Sequence, residues 1–522
     1  MNINSVKTRF IVSLAANVGR AGVSFFAGVL TARALSPIGY GDLFFLLGSF
    51  TAIRALMDMG TSQAFYTFIA QSSKQGVFYW VYFTWLALQF MVIVVLVLVA
   101  LPDDMIDRIW LEQSRDVILL AFLASFMQQK VWTTIIQICE AVRMTVLVQL
   151  SGLAVVLVHL ALVNLFIWYG ILSIQTVLYL VLGEYVFASL FIWWVLTFYQ
   201  NQPRREELEQ PLKLSKVLSQ YWVFCRPLII VALAAFAYEF IDRWLLQRFG
   251  GSEQQGFYQI SAQFAAVSLL ATASVLSIFW KEIAEAYKQE NHVRVSLLYH
   301  KVSRSLVMLG AIVACFLVPW AEQLTMLMLG DAYLNAWPIL AIMFLYPVHQ
   351  SLGQINGAMF MACERTGPYM KLSLFGMVIS MPVTYFMLVP SGEWFISGLG
   401  LGALGLALKM VGLNVLMVNL QAYMLARYHG WKYDWWYQIE GVLALLILGF
   451  SLKFICVFVA GDLLIAAEAL ELVLFMLGTG VAYLFGVIIY VWVRPSLFGL
   501  ERQDLKTALS FIANKIKRNY AV

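Results

Sequence analysis

Residues 10–58 read FIVSLAANVGRAGVSFFAGVLTARALSPIGYGDLFFLLGSFTAIRALMD, two long apolar runs that meet near Pro37. Charge interrupts both runs: Arg20 lies in the first, and Arg54 and Asp58 lie in the second. An ionisable side chain at membrane depth costs about 3 kcal/mol or more, so it normally faces a water-filled cavity or a charged partner. Such residues on successive helices predict a polar path through a membrane, as a transporter requires.

The composition of the whole chain is that of an integral membrane protein. Of its 522 residues, 62% are hydrophobic and only 12% are charged, whereas soluble domains carry about 25% charged residues. A net charge of +5, spread over short loops, predicts no nucleic-acid partner. A membrane-crossing helix needs about 20 mostly apolar residues, and about fourteen such runs are present. They lie near residues 10–35, 43–69, 77–101, 117–138, 144–168, 171–199, 219–246, 257–280, 304–329, 337–361, 371–391, 398–424, 439–460 and 468–493.

An internal repeat divides these runs. Residues 33–41 (RALSPIGYG) follow the first run, and residues 248–258 (RFGGSEQQGFY) follow the seventh. About a hundred residues beyond each motif, Cys139-Glu140 and Cys363-Glu364 end the fourth run of each half. An even number of runs separates the halves, so both have the same orientation, as in transporters built from parallel repeats. We therefore expect an all-α polytopic membrane protein with two six-helix lobes in a parallel pseudo-twofold repeat, plus two extra helices.

The expected domain order follows from the repeat and from a charged break. It is an N-terminal lobe at 1–200, a cytoplasmic linker at 201–216, a C-terminal lobe at 217–425, two peripheral transmembrane helices at 426–493, and a basic amphipathic tail at 494–522. Lys and Arg concentrate in alternate loops, and the loop after the third run is acidic, with Asp103 and Asp104. By the positive-inside rule, both termini are expected in the cytoplasm.

Charged residues inside the apolar runs are the candidate site. Arg20 and Lys409 have no opposite charge near them on their own helices, which favours binding of an anion. Arg54 with Asp58, and Glu239 with Arg243, are four residues apart and can either pair on one helix face or line a cavity. The predicted substrate-binding residues are Arg20, Arg54, Arg226, Arg243 and Lys409, and the predicted ion-coupling residues are Asp58, Glu239 and Asp242.

Sequence motifs for enzymes are missing from the chain. Gly400-Leu-Gly402-Ala-Leu-Gly405 matches a dinucleotide fingerprint, but it lies inside an apolar run rather than between a strand and a helix. No P-loop, metal-ligand spacing or nucleophile elbow is present. We therefore predict a transporter without a cofactor or catalytic residues, and we expect the five cysteines to be reduced.

At the level of motifs, the chain resembles the polysaccharide and O-antigen flippases of the multidrug/oligosaccharidyl-lipid/polysaccharide exporter superfamily. The resemblance rests on four stretches that together span most of residues 10–425. They are residues 31–41 (TARALSPIGYG), Asp242-Arg243 followed by residues 256–258 (GFY), residues 329–336 (LGDAYLNA), and residues 398–407 (GLGLGALGLA).

This resemblance implies a substrate and a location. The substrate would be an undecaprenyl-pyrophosphate-linked oligosaccharide, moved from the cytoplasmic to the outer leaflet of the inner membrane by alternating access. Membrane lipids, a polysaccharide polymerase, and a proton or sodium ion are the partners it implies. Two alternatives stay open: a lipid II flippase of related fold, and a multidrug cation antiporter, which the arginines disfavour.

Overall fold

The computed structural model describes an all-helical membrane protein. It covers residues 6–71, 76–200, 212–269, 279, 281–393, 396–461, 469–507 and 510. No β-strand occurs among these residues. Within them, 11 helical stretches are long and apolar enough to cross a membrane. The expectation of a polytopic all-α membrane protein is confirmed.

The chain divides into two compact units. Unit 1 comprises Met1–Ile260 and Met377–Leu406, and unit 2 comprises Ser261–Gly376 and Ala407–Val522. Helices that begin in unit 1 are α1 (Val6–Asp58), α2 (Thr61–Gln71), α3 (Gly76–Val95), α4 (Asp103–Trp110), α5 (Arg115–Phe126), α6 (Trp132–Ala141), α7 (Thr145–Trp168), α8 (Ile174–Gln200), α9 (Leu214–Cys225), α10 (Ile229–Ser268) and the later α16 (Gly402–His429). Helices that begin in unit 2 are α11 (His292–Leu317), α12 (Ala321–Leu329), α13 (Trp337–Met343), α14 (Tyr346–Ala362), α15 (Thr366–Leu388), α17 (Trp436–Ala460) and α18 (Ala469–Val493). The five predicted domains stay predictions.

Two of the membrane stretches are much longer than one crossing. They cover Val12–Asp58, 47 residues, and Leu214–Val267, 54 residues, whereas about 20 residues span the hydrocarbon core. Each contains a kink where one residue leaves helical geometry: Ser36 has φ 59° and ψ 172°, and Gly251 has φ 77° and ψ 177°. Each stretch therefore has the length of two crossings joined at a corner, and the predicted number of fourteen stays a prediction.

The two corners of unit 1 pack against each other through glycines of the predicted repeat. A Cβ on Gly41 would lie 1.8 Å from the carbonyl oxygen of Ser252, and a Cβ on Gly256 would lie 2.1 Å from that of Pro37. Each glycine comes five residues after its corner residue, Ser36 or Gly251. Asp42 accepts hydrogen bonds there from the Ser252 hydroxyl at 2.6 Å and from the Gln247 amide at 2.9 Å. The contact is thus reciprocal, as a pseudo-twofold repeat demands.

Unit 2 is organised around α11. Buried side chains of α11, α14 and α17 form its core, including Val307, Leu352 and Leu445. From α17, the Lys453 ammonium donates to the carbonyl oxygen of Pro319 at 2.6 Å. That carbonyl lies in the 3₁₀ segment Val318–Trp320, so Lys453 satisfies a backbone group at a helix break.

The segment after α18 docks on the start of α11. The Arg304 guanidinium donates to the carbonyl oxygen of Ser496 at 2.8 Å, and the Lys301 ammonium donates to the Asp504 carboxylate at 3.0 Å. Hydrogen bonds from the Glu501 N–H and from Lys301 hold the pKa of Asp504 below its usual value. Residues 502–507 are helical, and most of the predicted amphipathic tail lies outside the described residues.

Candidate substrate and ion site

The membrane-crossing part of unit 1 contains a helix break at a charged residue. Helix α1 ends at Asp58, Met59 and Gly60 have φ values of 44° and 84°, and α2 begins at Thr61. A break leaves backbone groups unpaired, and in a membrane these need another partner. Here the Gln89 amide of α3 donates to the carbonyl oxygen of Met57 at 3.0 Å. The break is therefore built into the packing of α1, α2 and α3.

Lys130 forms an ion pair with Asp58 across this break. Lys130 lies in the π-helical segment Met127–Val131 between α5 and α6, and its side chain is 5% exposed. The Asp58 carboxylate accepts hydrogen bonds from the Lys130 ammonium and from the Ser62 hydroxyl. The Tyr82 hydroxyl lies 3.0 Å from that of Ser62. The carboxylate that sequence analysis assigned to ion coupling is thus held by a lysine and a hydroxyl network.

A small cavity adjoins this ion pair. It has a volume of about 30 Å³ and is lined by ten of the described residues, of which Arg54 and Lys130 are the charged ones. About 10–15 Å³ suffices for one water, so this conformation admits one or two waters and no sugar. The Arg54 Nε is buried and has no hydrogen-bond partner among the described residues. The cavity is consequently small, and its charged lining consists of Arg54 and of Lys130, which is paired with Asp58.

Helix α10 brings three more predicted residues into unit 1. Asp242 is buried and accepts a hydrogen bond from the Thr384 hydroxyl at 2.6 Å. The Arg243 guanidinium lies on α1, where its Nη1 donates to the carbonyl oxygen of Phe44 at 3.3 Å. Glu239 lies close enough to Arg243 and Arg54 to interact with both electrostatically.

Gly48 makes room for Arg243. A Cβ at Gly48 would lie 2.3 Å from Nη1 and 2.4 Å from Cζ of the guanidinium, well inside van der Waals contact. Arg243 therefore lies flat on the α1 backbone because residue 48 has no side chain.

The charges of this network balance. Arg54, Lys130 and Arg243 are its cations, and Asp58, Glu239 and Asp242 are its carboxylates. Five of the six were predicted from sequence. The sixth, Lys130, was not among the predicted site residues; it lies in the π-helical segment Met127–Val131, which a sequence pattern does not reveal.

The other predicted cations lie in different surroundings. The Arg20 Nη2 donates to the Asn17 side chain at 2.6 Å, and its guanidinium packs on Gly152 of α7, where a Cβ would lie 3.1 Å from Nη1. In unit 2, Lys409 is 2% exposed, with its ammonium 4.0 Å from the sulfur of Met410. Arg226 is exposed in the 3₁₀ segment that precedes α10. The structure thus brings Arg54 and Arg243 into one network, and their roles stay predictions.

Comparison with known proteins gives a family and a fold. Residues 6–280, more than half of the chain, match the family model described as "Polysaccharide biosynthesis protein". Comparison with curated protein sequences gives no match.

Among solved structures, lipid II flippase MurJ in an inward closed conformation aligns with a TM-score of 0.64 at 12% identity. The alignment covers 92% of this chain and 99% of MurJ. An inward-facing multidrug resistance MATE family transporter of the MOP superfamily aligns with a TM-score of 0.57 at 17% identity. That alignment covers 80% of this chain and 98% of the MATE transporter. A MOP superfamily transporter from Pyrococcus furiosus, whose binding pocket is described as having reverse polarity, aligns at 0.54 and 16% identity over 81% and 95%. At these identities the likeness establishes the shared fold.

Proposed function

The chain belongs to the polysaccharide biosynthesis protein family of the MOP superfamily, and from this premise we propose that it is a lipid-linked oligosaccharide flippase. The substrate would be an undecaprenyl-pyrophosphate-linked oligosaccharide that serves O-antigen, capsule or exopolysaccharide export. It would move from the cytoplasmic to the outer leaflet of the plasma membrane by alternating access, in a protein with both termini in the cytoplasm.

The observation that carries this proposal is the Arg54 guanidinium, whose Nε is buried, at the cavity of unit 1. Arg54 and Lys130 line this cavity, and among the described residues no carboxylate does, although Lys130 is paired with the adjoining Asp58. A pyrophosphate that enters the membrane needs fixed cations, and a guanidinium binds phosphate oxygens through two parallel hydrogen bonds. The free Nε edge of Arg54 supports such a contact. Because the cavity encloses about 30 Å³, the head group requires a wider conformation than the present one.

We assign the other predicted residues to the passage of the substrate and to ion coupling. Arg20, Arg243, Lys409 and Arg226 would contribute to the path of the anionic head group, while the lipid tail stays in the bilayer. Asp58, Glu239 and Asp242 would couple transport to protons or sodium. A polysaccharide polymerase would receive the product in the outer leaflet.

Two other functions compete with this proposal. Lipid II flipping is favoured by the alignment over 92% of the chain with MurJ, and it would use the same cations because only the glycan differs. Multidrug export is supported by the MATE fold but would suit an acidic cavity for cationic drugs, whereas the charged side chains that line this cavity in the described part of the chain are Arg54 and Lys130.

Reconstitution separates the three functions. The purified protein is placed in liposomes with a fluorescent undecaprenyl-pyrophosphate oligosaccharide, with lipid II, or with ethidium, and appearance in the opposite leaflet or compartment is measured. We expect movement of the oligosaccharide lipid, strongly reduced in Arg54→Gln and unchanged in Arg248→Gln, whose arginine is exposed. Preferred movement of lipid II or of ethidium would reject the proposal in favour of the corresponding alternative.

A further inference from the structure

A histidine–glutamate pair lies inside unit 1, apart from the network around Asp58. The Nδ1 of His159, on α7, lies 2.9 Å from Oε2 and 3.2 Å from Oε1 of Glu184, on α8. Both helices are membrane-crossing stretches. The Glu184 side chain is 6% exposed and that of His159 is 21% exposed. The imidazole therefore lies between a buried carboxylate and more accessible space.

This pair differs chemically from the other carboxylates of unit 1. Asp58 pairs with a lysine, and Glu239 lies beside arginines, whose guanidinium groups keep their charge at any physiological pH. An imidazole changes its charge between about pH 5 and 8. A buried carboxylate without a compensating positive charge is strongly disfavoured. The geometry lets the two side chains share one proton, as imidazolium and carboxylate or as imidazole and carboxylic acid, and without that proton the pair carries a net negative charge.

The pair and Arg20 have a neighbour in common. Tyr185, next to Glu184 in sequence, interacts electrostatically with both Glu184 and Arg20. The Arg20 guanidinium packs on Gly152, seven residues before His159 on α7, which is about 10 Å along the helix. Lys130, on the π-helical segment that packs on α8, is held by Asp58. Arg20 is thus a cation that shares a neighbouring side chain, Tyr185, with the pair.

We infer that His159 and Glu184 form a proton-binding site that is linked to anion binding at Arg20. The inference rests on the proposed function for the identity of the anion. With the proton bound the pair is neutral, and Arg20 is available to the pyrophosphate. With the proton lost, the pair is an anion that repels the pyrophosphate and attracts Arg20. By thermodynamic reciprocity, a bound pyrophosphate must in turn favour the protonated pair, so that proton and head group bind together.

The proton site is tested on the full chain in lipid nanodiscs. Ring-labelled histidine is followed by NMR from about pH 5 to 8, the range in which imidazole titrates, and His159 is assigned by its loss in His159→Gln. We expect the His159 signal to titrate, to change its titration in Glu184→Gln, and to stay unchanged in Glu253→Gln, whose carboxylate is exposed. A His159 signal that keeps one charge state throughout, or that ignores Glu184→Gln, would overturn the site.

The link to the anion is tested with inorganic pyrophosphate as the probe. We expect added pyrophosphate to make His159 keep its proton to a higher pH, and to lose this effect in Arg20→Gln. An unchanged titration would overturn the link.

Transport gives an independent readout. Oligosaccharide flipping should depend on pH with a limiting slope of about tenfold per unit for one proton, and this dependence should flatten in both His159→Gln and Glu184→Gln but persist in His292→Gln. If the wild type flips no oligosaccharide while His159 still titrates and responds to Glu184→Gln, the proposed function fails and the proton site stands. If flipping occurs with equal pH dependence in all variants, the proton site plays no part in transport and the inference fails.

Discussion

Removal of the Lys130 ammonium should destabilise unit 1 more than a typical core substitution. In Lys130→Met the Asp58 carboxylate keeps the Ser62 hydroxyl but loses its ion-pair partner. Breaking a buried ion pair costs 3–5 kcal/mol in order of magnitude. Because the Asp58 side chain is 21% exposed, we expect the lower end, about 3 kcal/mol, or about a hundredfold in the unfolding equilibrium. Unfolding in mixed micelles with increasing SDS measures this loss.

The double variant decides whether the pair is structural or functional. Asp58→Asn with Lys130→Met removes both charges, and replacing a buried pair by neutral groups is often close to neutral for stability. We expect the double variant to recover most of the stability lost in Lys130→Met. If Asp58 also couples transport to an ion, flipping by the double variant should no longer respond to an ion gradient even though its stability has recovered. Wild-type stability of Lys130→Met, or additive losses in the double variant, would refute the ion pair described above.

Two further predictions follow from the packing of glycines, and a third follows from the predicted membrane topology. Gly256→Ala should cost about 3 kcal/mol of stability, the upper end for overpacking, because the new Cβ meets a backbone carbonyl. Gly22→Ala, where nothing lies within 4 Å of the new Cβ, is the control. Equal melting temperatures of the two variants in thermal unfolding would disprove the close contact. Gly48→Ala should displace the Arg243 guanidinium that packs on Gly48. Pyrophosphate binding, measured by calorimetric titration, should weaken about tenfold, the equivalent of roughly one strong hydrogen bond. An unchanged affinity would remove Arg243 from the anion path. Cysteines replacing Asp103 and Glu393 should be labelled from outside intact cells by a membrane-impermeant maleimide, and labelling only after lysis would reverse the predicted topology.

The fold could be predicted from sequence because its determinants are local. Runs of about 20 apolar residues are sufficient to identify membrane-crossing helices. The repeat motif was also readable, since Gly41 and Gly256 occupy corresponding places in the motifs that follow the first and seventh runs. What the motif does was not readable, because the reciprocal approach of Gly41 to Ser252 and of Gly256 to Pro37 exists only once the two corners pack together.

The candidate site was predicted only in part, for a related reason. Spacing of four residues correctly identified Arg54 and Asp58 as neighbours on one helix, but Asp58 takes its ion-pair partner from a segment 72 residues away. Likewise, the histidines were unremarkable as isolated residues, and His159 gains significance only beside Glu184. Long-range pairing of charges is a property of helix packing, which single-sequence periodicity does not encode.

The irregular backbone around Asp58 explains how such charges coexist with a membrane-crossing fold. A regular helix uses all its backbone groups internally and offers no donors or acceptors to side chains. Here α1 stops at Asp58, which exposes the Met57 carbonyl to Gln89, while the π-helical turn rotates Lys130 toward the same place. π-Helical turns are rare and occur frequently at functional sites. Two departures from helical geometry meet at this one ion pair, and such departures are costly unless the pair is needed. Deletion of one residue from 127–131 would restore a regular helical turn. We expect this deletion to abolish transport even where the protein still inserts into the membrane. A deletion variant with full flipping activity would show that the π-helical turn is incidental.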